Sequence, residues 1–341
     1  MSEKPFRFIG CNMYGLAFGG KDLIDKLTDN AHSEGFKVIR CWAFESVNYD
    51  DLHFLCDKIK SLNMKLILCL ADRWGFLQSY TADKAWYESG YKTKYLTHIK
   101  NLIAEFKSRD EIMVWELINE PECSSYQIFK NFVIDVSSEI KKISPNQLVS
   151  VGTIGGIGDK LGSVFSVFNF NKFKDIYSVK TLDCISIHDY SYDSGIFERL
   201  DIYFRFKDKK TLSKIFGGIA KFFEFFSNPI QNYFVNNFNK LFFVPWTLRG
   251  LWNIYNSIDL KTSVAISKPI YAGEVGFKKK HGNLRKKLIE LDIKKKFEKG
   301  MSGYVLWSFE SLGYNPDGHD YGFDESDGIS EVIKNLNVNK S

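Results

Sequence analysis

A chain of 341 residues, 44% hydrophobic and 26% charged, has enough apolar side chains for one large core and the polarity of a globular domain. Its net charge of +5 is small and no Lys/Arg run resembles a nucleic-acid-binding arm, so nucleic acid is not an expected partner. No apolar window of about 18 residues is present, so no transmembrane helix is expected.

Short apolar runs alternate with helical patterns along the whole chain. The runs are 6–12 (FRFIGCN), 37–44 (KVIRCWAF), 65–72 (KLILCLAD) and 112–121 (IMVWELINEP), followed by 148–156, 183–190, 269–277 and 303–311. Each is nearly continuous in apolar residues at its start, as expected for a strand covered on both faces. Between them Leu52, Leu55, Ile59 and Leu62 fall on one helix face; so do Leu96, Ile99, Ile103 and Phe106. Tyr126, Phe129, Val133, Val136 and Ile140 form a third stripe, ended by Pro145. A further helix is predicted over 246–267. Parallel strands need crossovers, so eight βα units predict a single α/β domain over 1–341, a (β/α)8 TIM barrel. The runner-up is an open doubly wound sheet. The first turn, CNMYGLAFGG, lacks the GxGxxG expected there.

The spacing between the sixth and seventh runs is about twice the usual 30–45 residues of a barrel unit. The excess, 195–244, is a Phe/Lys-rich insertion after strand 6 that carries much of the positive charge. A helical cap packed on the barrel, a lid over the cleft, a dimer contact and a membrane contact all fit it. The cap is favoured, because Asn-rich interruptions spoil a clean membrane helix.

The six cysteines form no CxxC pair and sit in apolar runs, so they read as buried hydrophobes. The opening MSEKPFRFIG lacks a basic stretch followed by a long apolar one. A cytoplasmic protein is therefore expected, or a secreted one if a leader was removed.

Barrel enzymes place reactive groups at the C-terminal strand ends. Those ends carry Arg40; Asp72, Arg73 and Trp74; Asn119 and Glu120; His188, Asp189 and Tyr190; Glu274; and Trp307 and Glu310. Two carboxylates on different strands can face one another across the mouth, which is what glycosidic cleavage needs. Glu120 and Glu274 each sit in an apolar strand, where an unpartnered carboxylate is costly. A buried Arg40–Glu pair would explain one of them but not both. No metal is expected: HxH and HxxxH are absent, and only His188 with Asp189 offers adjacent ligands. His32, His53 and His98 fall on predicted helices as surface residues, and His319 lies in the last long loop. Lys294–Lys296 read as a solvated helix face.

At these residues the chain resembles glycoside hydrolase family 5, most closely its endo-β-1,4-mannanases. WELINEPEC resembles the family signature around the acid/base, which gives that role to Glu120. IRCWAF supplies the active-site Arg40, and LADRWGFLQSY places Trp74, Gln78 and Tyr80. HDY gives His188 and Tyr190, KPIYAGEVGF gives the nucleophile Glu274, and GYVLWSF gives the sugar-platform Trp307. Where Asp72 and Arg73 stand the mannanase pattern usually has a nearby Asn, and the insertion has no counterpart in it. The resemblance implies retention of configuration, an oligo- or polysaccharide substrate and no cofactor. Arg40 and Tyr190 would hold Glu274 ionised, its charge would raise the pKa of Glu120, and Asn119 would bind the 2-hydroxyl. A β-1,4-glucanase, a glycolipid-directed β-glycosidase and a non-catalytic sugar-binding barrel remain the alternatives.

Overall fold

The eight apolar runs form eight parallel strands that close on themselves in chain order: β1 Phe8–Asn12, β2 Val38–Trp42, β3 Lys65–Cys69, β4 Ile112–Asn119, β5 Leu148–Thr153, β6 Ile185–Asp189, β7 Ile270–Val275 and β8 Gly303–Leu306. This is the expected (β/α)8 barrel, seen in a computed structural model. The structure describes residues 6–75, 77–153, 170–190, 197, 200, 204, 208–241, 259–313 and 320–338. Residues 154–156 and 246–258, part of the insertion, and His319 lie outside the described residues.

The outer layer contains α1 Gly20–Ser33, α2 Tyr49–Ser61, α3 Lys84–Glu88, α4 Lys94–Phe106, α5 Tyr126–Ile143, α6 Phe170–Tyr177, α7 Lys210–Phe238, α8 Leu284–Glu298 and α9 Ile329–Val338. Helix α2 shows why these segments coil. Asn48 caps it by accepting from the Asp50 and Asp51 amides; those aspartates sit in the first turn, and Lys58 and Lys60 in the last. Both ends thus oppose the helix dipole, while Leu52, Leu55 and Ile59 bury against the sheet. The predicted stripes of α4 and α5 are buried in the same way except at their first residues, Leu96 and Tyr126, which are half-buried. All six cysteines are free and buried.

Inside the barrel, strand alternation sorts the side chains into layers. Phe8, Val38, Ile67, Val114, Cys184, Tyr271 and Val305 make an apolar floor. Arg40 and Glu116, two residues further along β2 and β4, lie above it and are fully buried. At the mouth Tyr14, Trp42, Phe44, Tyr190 and Trp307 form an aromatic cluster.

Two expectations are corrected. His98 is buried rather than on the surface, with Nε2 2.9 Å from the Ala43 carbonyl oxygen, so it ties α4 to the end of β2. Lys296 is not solvated. Its Nζ lies 2.5 Å from Asp292 and 2.8 Å from Asp189, and the Tyr304 hydroxyl donates to Asp292 over 2.9 Å. This buried cluster clips α8 to the outer side of β6. Lys296→Met should remove about 3–5 kcal/mol by leaving two buried aspartates without their cation; urea denaturation measures it, and a change within error would show that the clip adds nothing.

Candidate active site

Both strands that carry the predicted glutamates are irregular just where those residues occur. On β4 the pairing with β5 shifts between Glu116 and Asn119. Val114 and Glu116 point inward, Leu117 and Ile118 both pack in the outer core, and Asn119 faces inward again. On β7 the pairing shifts between Ala272 and Val275, and Glu274 pairs with His188 of β6. Such bulges re-aim side chains, and here they turn Asn119 and Glu274 into the barrel. Glu120 follows with φ at +47°, a left-handed backbone that a non-glycine residue adopts only when its surroundings hold it. The Gly152 carbonyl supplies one such hold, accepting the Glu120 amide over 2.8 Å.

Arg40 is the centre of the polar layer. Its Nε donates to Glu116 over 3.0 Å, and Nη2 donates to Glu116 and, over 2.8 Å, to Asn119 Oδ1. Nη1 donates to Asn12 Oδ1 over 2.9 Å and to Glu274 Oε1 over 2.7 Å. The Asn12 amide in turn holds the carbonyls of Gly273 and Leu306. The Tyr271 hydroxyl donates to Glu116 over 3.1 Å. Burial alone would raise the Glu116 carboxyl, but the Arg40 and His188 charges outweigh it and hold it below the ordinary glutamate value. The Arg40–Glu pair weighed from sequence is therefore real, and it involves both Glu116 and Glu274.

Glu274 and Glu120 converge on His188. Glu274 Oε2 accepts from the Tyr190 hydroxyl at 2.7 Å, and Glu120 Oε2 accepts from the Trp74 indole at 2.9 Å. His188 Nδ1 lies 3.0 Å from Glu120 Oε1 and 3.5 Å from Glu274 Oε2. One oxygen of each glutamate and one His188 nitrogen all lie within 4.8 Å of one another. That trio is also a donor set on which a cation could sit. Each carboxylate oxygen, however, already faces a protein donor, and Arg40 stands beside the site, which suits proton exchange better than metal binding. Glu274 departs from expectation in one respect. Arg40 and Tyr190 bond to it as foreseen, yet burial, helped by the Glu120 charge, pushes its carboxyl above the ordinary value against the pull of His188, Arg40 and Tyr190.

The other predicted residues divide between cleft and scaffold. Asp72 accepts from the Tyr14 hydroxyl at 3.1 Å, the Trp74 amide at 3.0 Å and the Asn119 amide at 3.3 Å. Burial pushes its carboxyl up to about 6 despite those donors. Trp307 packs edge-on against Trp42, with ring centroids 5.8 Å apart. Gln78 braces its own loop by bonding the Asp72 backbone and the Tyr80 carbonyl, and Tyr80 stacks on Trp86 at 5.0 Å. Arg73 pairs with Glu122, and Glu310 faces Lys279. Asp189 bonds Lys296 on the outside of β6, so it cannot share a ligand with His188: successive strand residues point to opposite faces. Asn12, Tyr14 and Glu116 were missed. Glu116 carried a signal, a charged residue in the middle of an otherwise apolar strand, where it must be paired.

Comparison with known proteins agrees with the motifs. Residues 77–217 match a family model described as GH family 5 beta-mannosidase-like. Mannan endo-1,4-beta-mannosidase F of Aspergillus fumigatus is 26% identical over 232 residues, which cover 55% of this chain and 53% of that protein. The putative mannan endo-1,4-beta-mannosidase 4 of Arabidopsis thaliana is 26% identical over 206 residues, 47% of this chain and 50% of that protein. The chain thus spans about half the length of the curated relatives it matches. Among solved structures, the endo-beta-1,4-mannanase of Thermotoga petrophila superposes with TM-score 0.70 at 20% identity, covering 99% of this chain and 78% of that one. The endo-1,4-beta-mannanase of Rhizomucor miehei gives 0.68 at 16% identity, covering 99% and 97%. The two structural likenesses establish the barrel fold, and the resemblance to family 5 and its mannanases is borne out.

Two outcomes follow from the geometry. A Cβ on Gly152 would stand 2.5 Å from Glu116 Oε1 and 3.0 Å from His188 Nε2. Gly152→Ala should therefore displace both and lower kcat by about 10-fold or more, since small misplacements are expensive in a positioned site; unchanged kinetics would mean the neighbours yield freely. Because burial already raises Glu274, the acid limb of kcat/KM should lie above the ordinary glutamate value of about 4.3. The Tyr190 hydrogen bond lowers that carboxyl, so Tyr190→Phe should move the limb to still higher pH. A limb that stays in place or moves down would contradict that link.

Proposed function

We propose that the protein is a retaining β-glycoside hydrolase of family 5 that cleaves β-1,4-linked mannosyl bonds of mannan or glucomannan. The observation that carries this is the approach of Glu120 and Glu274, one oxygen of each lying within 4.8 Å of the other. Retaining glycosidases hold their two carboxyl groups about 5–5.5 Å apart, whereas inverting ones leave about 6.5–9.5 Å for an intervening water. The mannosyl preference rests on the relatives, which are mannan endo-1,4-beta-mannosidases by name.

The roles follow from the partners. Glu274 is held and oriented by the guanidinium and the phenol, which suits it to attack as nucleophile. Glu120, bonded to the Trp74 indole and to His188 but not to the guanidinium, is the group placed to exchange a proton. In the first step a Glu274 oxygen bonds to the anomeric carbon while Glu120 delivers its proton to the leaving glycosidic oxygen. In the second, Glu120 takes a proton from water, the water oxygen bonds to the anomeric carbon, and the bond to Glu274 breaks. Two inversions return the β-configuration. Asn119, anchored by Arg40 through Oδ1, donates one amide hydrogen to Asp72 and has the second for the 2-hydroxyl. Trp307, at the rim of the aromatic cluster, offers an apolar face to the sugar.

Azide separates the two glutamates. Glu274→Ala with an activated aryl β-mannoside should yield the α-mannosyl azide, because azide enters the space left by the nucleophile. Glu120→Ala should slow substrates with poor leaving groups by about 10²–10⁴-fold and yield the β-mannosyl azide instead. The wild type should release β-configured products from mannan oligomers, followed by proton NMR. Inverted products, or wild-type rates in either variant, would remove the assignment; faster cleavage of cello-oligomers than of manno-oligomers would remove the mannosyl preference alone.

A further inference from the structure

The insertion supplies a feature that glycoside hydrolysis does not use. Helix α7 runs for 29 residues and has two apolar faces. One is turned inward. Phe216 stacks on Phe197 and Phe204 with centroids 6.2 and 5.3 Å away, Phe223 lies 5.3 Å from Phe197, and Val235 is fully buried in the main core. The other faces solvent. Leu212, Ile215, Ile219, Phe222, Phe226 and Tyr233 follow the three-and-four spacing of a single helix stripe. Phe222 is 59% exposed and Tyr233 58%, while Phe225, beside the stripe, is 72% exposed. Exposing large aromatic rings on one face is unfavourable unless that face is covered in use.

The charge around the stripe indicates what covers it. Lys210, Lys214 and Lys221, four and seven residues apart, are exposed along one flank. Residues 205–240 hold seven basic and two acidic side chains, a balance that equals the +5 of the entire chain and leaves the remainder neutral. A second copy of this helix offers the lysines no acidic face, since Glu224 is the only acidic residue of α7. An anionic lipid surface instead receives the aromatic rings into its headgroup region and the lysines onto its phosphates. Among the described residues no helix is long and apolar enough to cross a membrane, so the contact is peripheral.

We propose that the outward face of α7 is a docking surface for anionic phospholipid bilayers. The test is flotation of the full chain with phosphatidylcholine vesicles, with and without about one-third phosphatidylserine. The expected result is binding at least about 10-fold stronger to the anionic vesicles, weakened by salt. It should be lost both in Phe222→Ser/Phe225→Ser/Phe226→Ser and in Lys214→Glu/Lys221→Glu, each with an unchanged melting temperature as the control for folding. Failure of the wild type to float with anionic vesicles overturns the proposal. So does a wild-type dimer in sedimentation velocity that the triple Phe variant dissociates, since the face would then be a self-interface.

Discussion

Everything at the mouth of the barrel depends on neutralising one buried guanidinium. Arg40 is fully buried on β2, and moving a cation there is unfavourable by several kcal/mol unless anions and dipoles surround it. Glu116 takes the Nε and Nη2 protons, the two asparagines contribute their carbonyl oxygens, and only Nη1 reaches Glu274. This division has a chemical consequence. A carboxylate gripped bidentately by arginine would be strongly stabilised in the ground state and correspondingly slow to attack. Because Glu116 carries most of the neutralisation, Glu274 is oriented by one guanidinium hydrogen bond and one phenol without being fully quenched.

The second constraint is geometric. Two glutamates must approach closely although their charges repel, and the barrel meets this by local distortion. Bulges on β4 and β7 turn Asn119 and Glu274 inward, and the left-handed backbone of Glu120 brings the acid/base candidate to the same side as its neighbour. His188, one strand away from Glu274, lies between the two carboxylates and can bond either. Gly152 matters for the same reason, as the position where the absence of a side chain leaves room for Glu116 and His188.

The outside of the barrel has its own polar logic. Asp189 turns away from the cleft to meet Lys296, so β6 contributes a cleft residue and a scaffold residue from adjacent positions. Helix α7 carries this separation further, one face held by the core and the other left to solvent with nearly all of the molecule's excess charge beside it.

Much of this was legible in the residues themselves. Apolar runs separated by helical stripes determine eight βα units, because period and burial are local properties of the chain, and polar residues at the ends of those runs select Arg40, Glu120, His188, Tyr190 and Glu274. What the chain alone did not reveal was direction. Lys296 looks like one more solvated lysine and Asp189 like a partner of His188; Asn12 and Tyr14 look like ordinary strand and turn residues. Which way each side chain points depends on strand parity, and parity changes at every bulge. Bulges are set by how neighbouring strands register when the barrel closes, so the composition of the site was written in the sequence, while its wiring was decided only by the closed sheet.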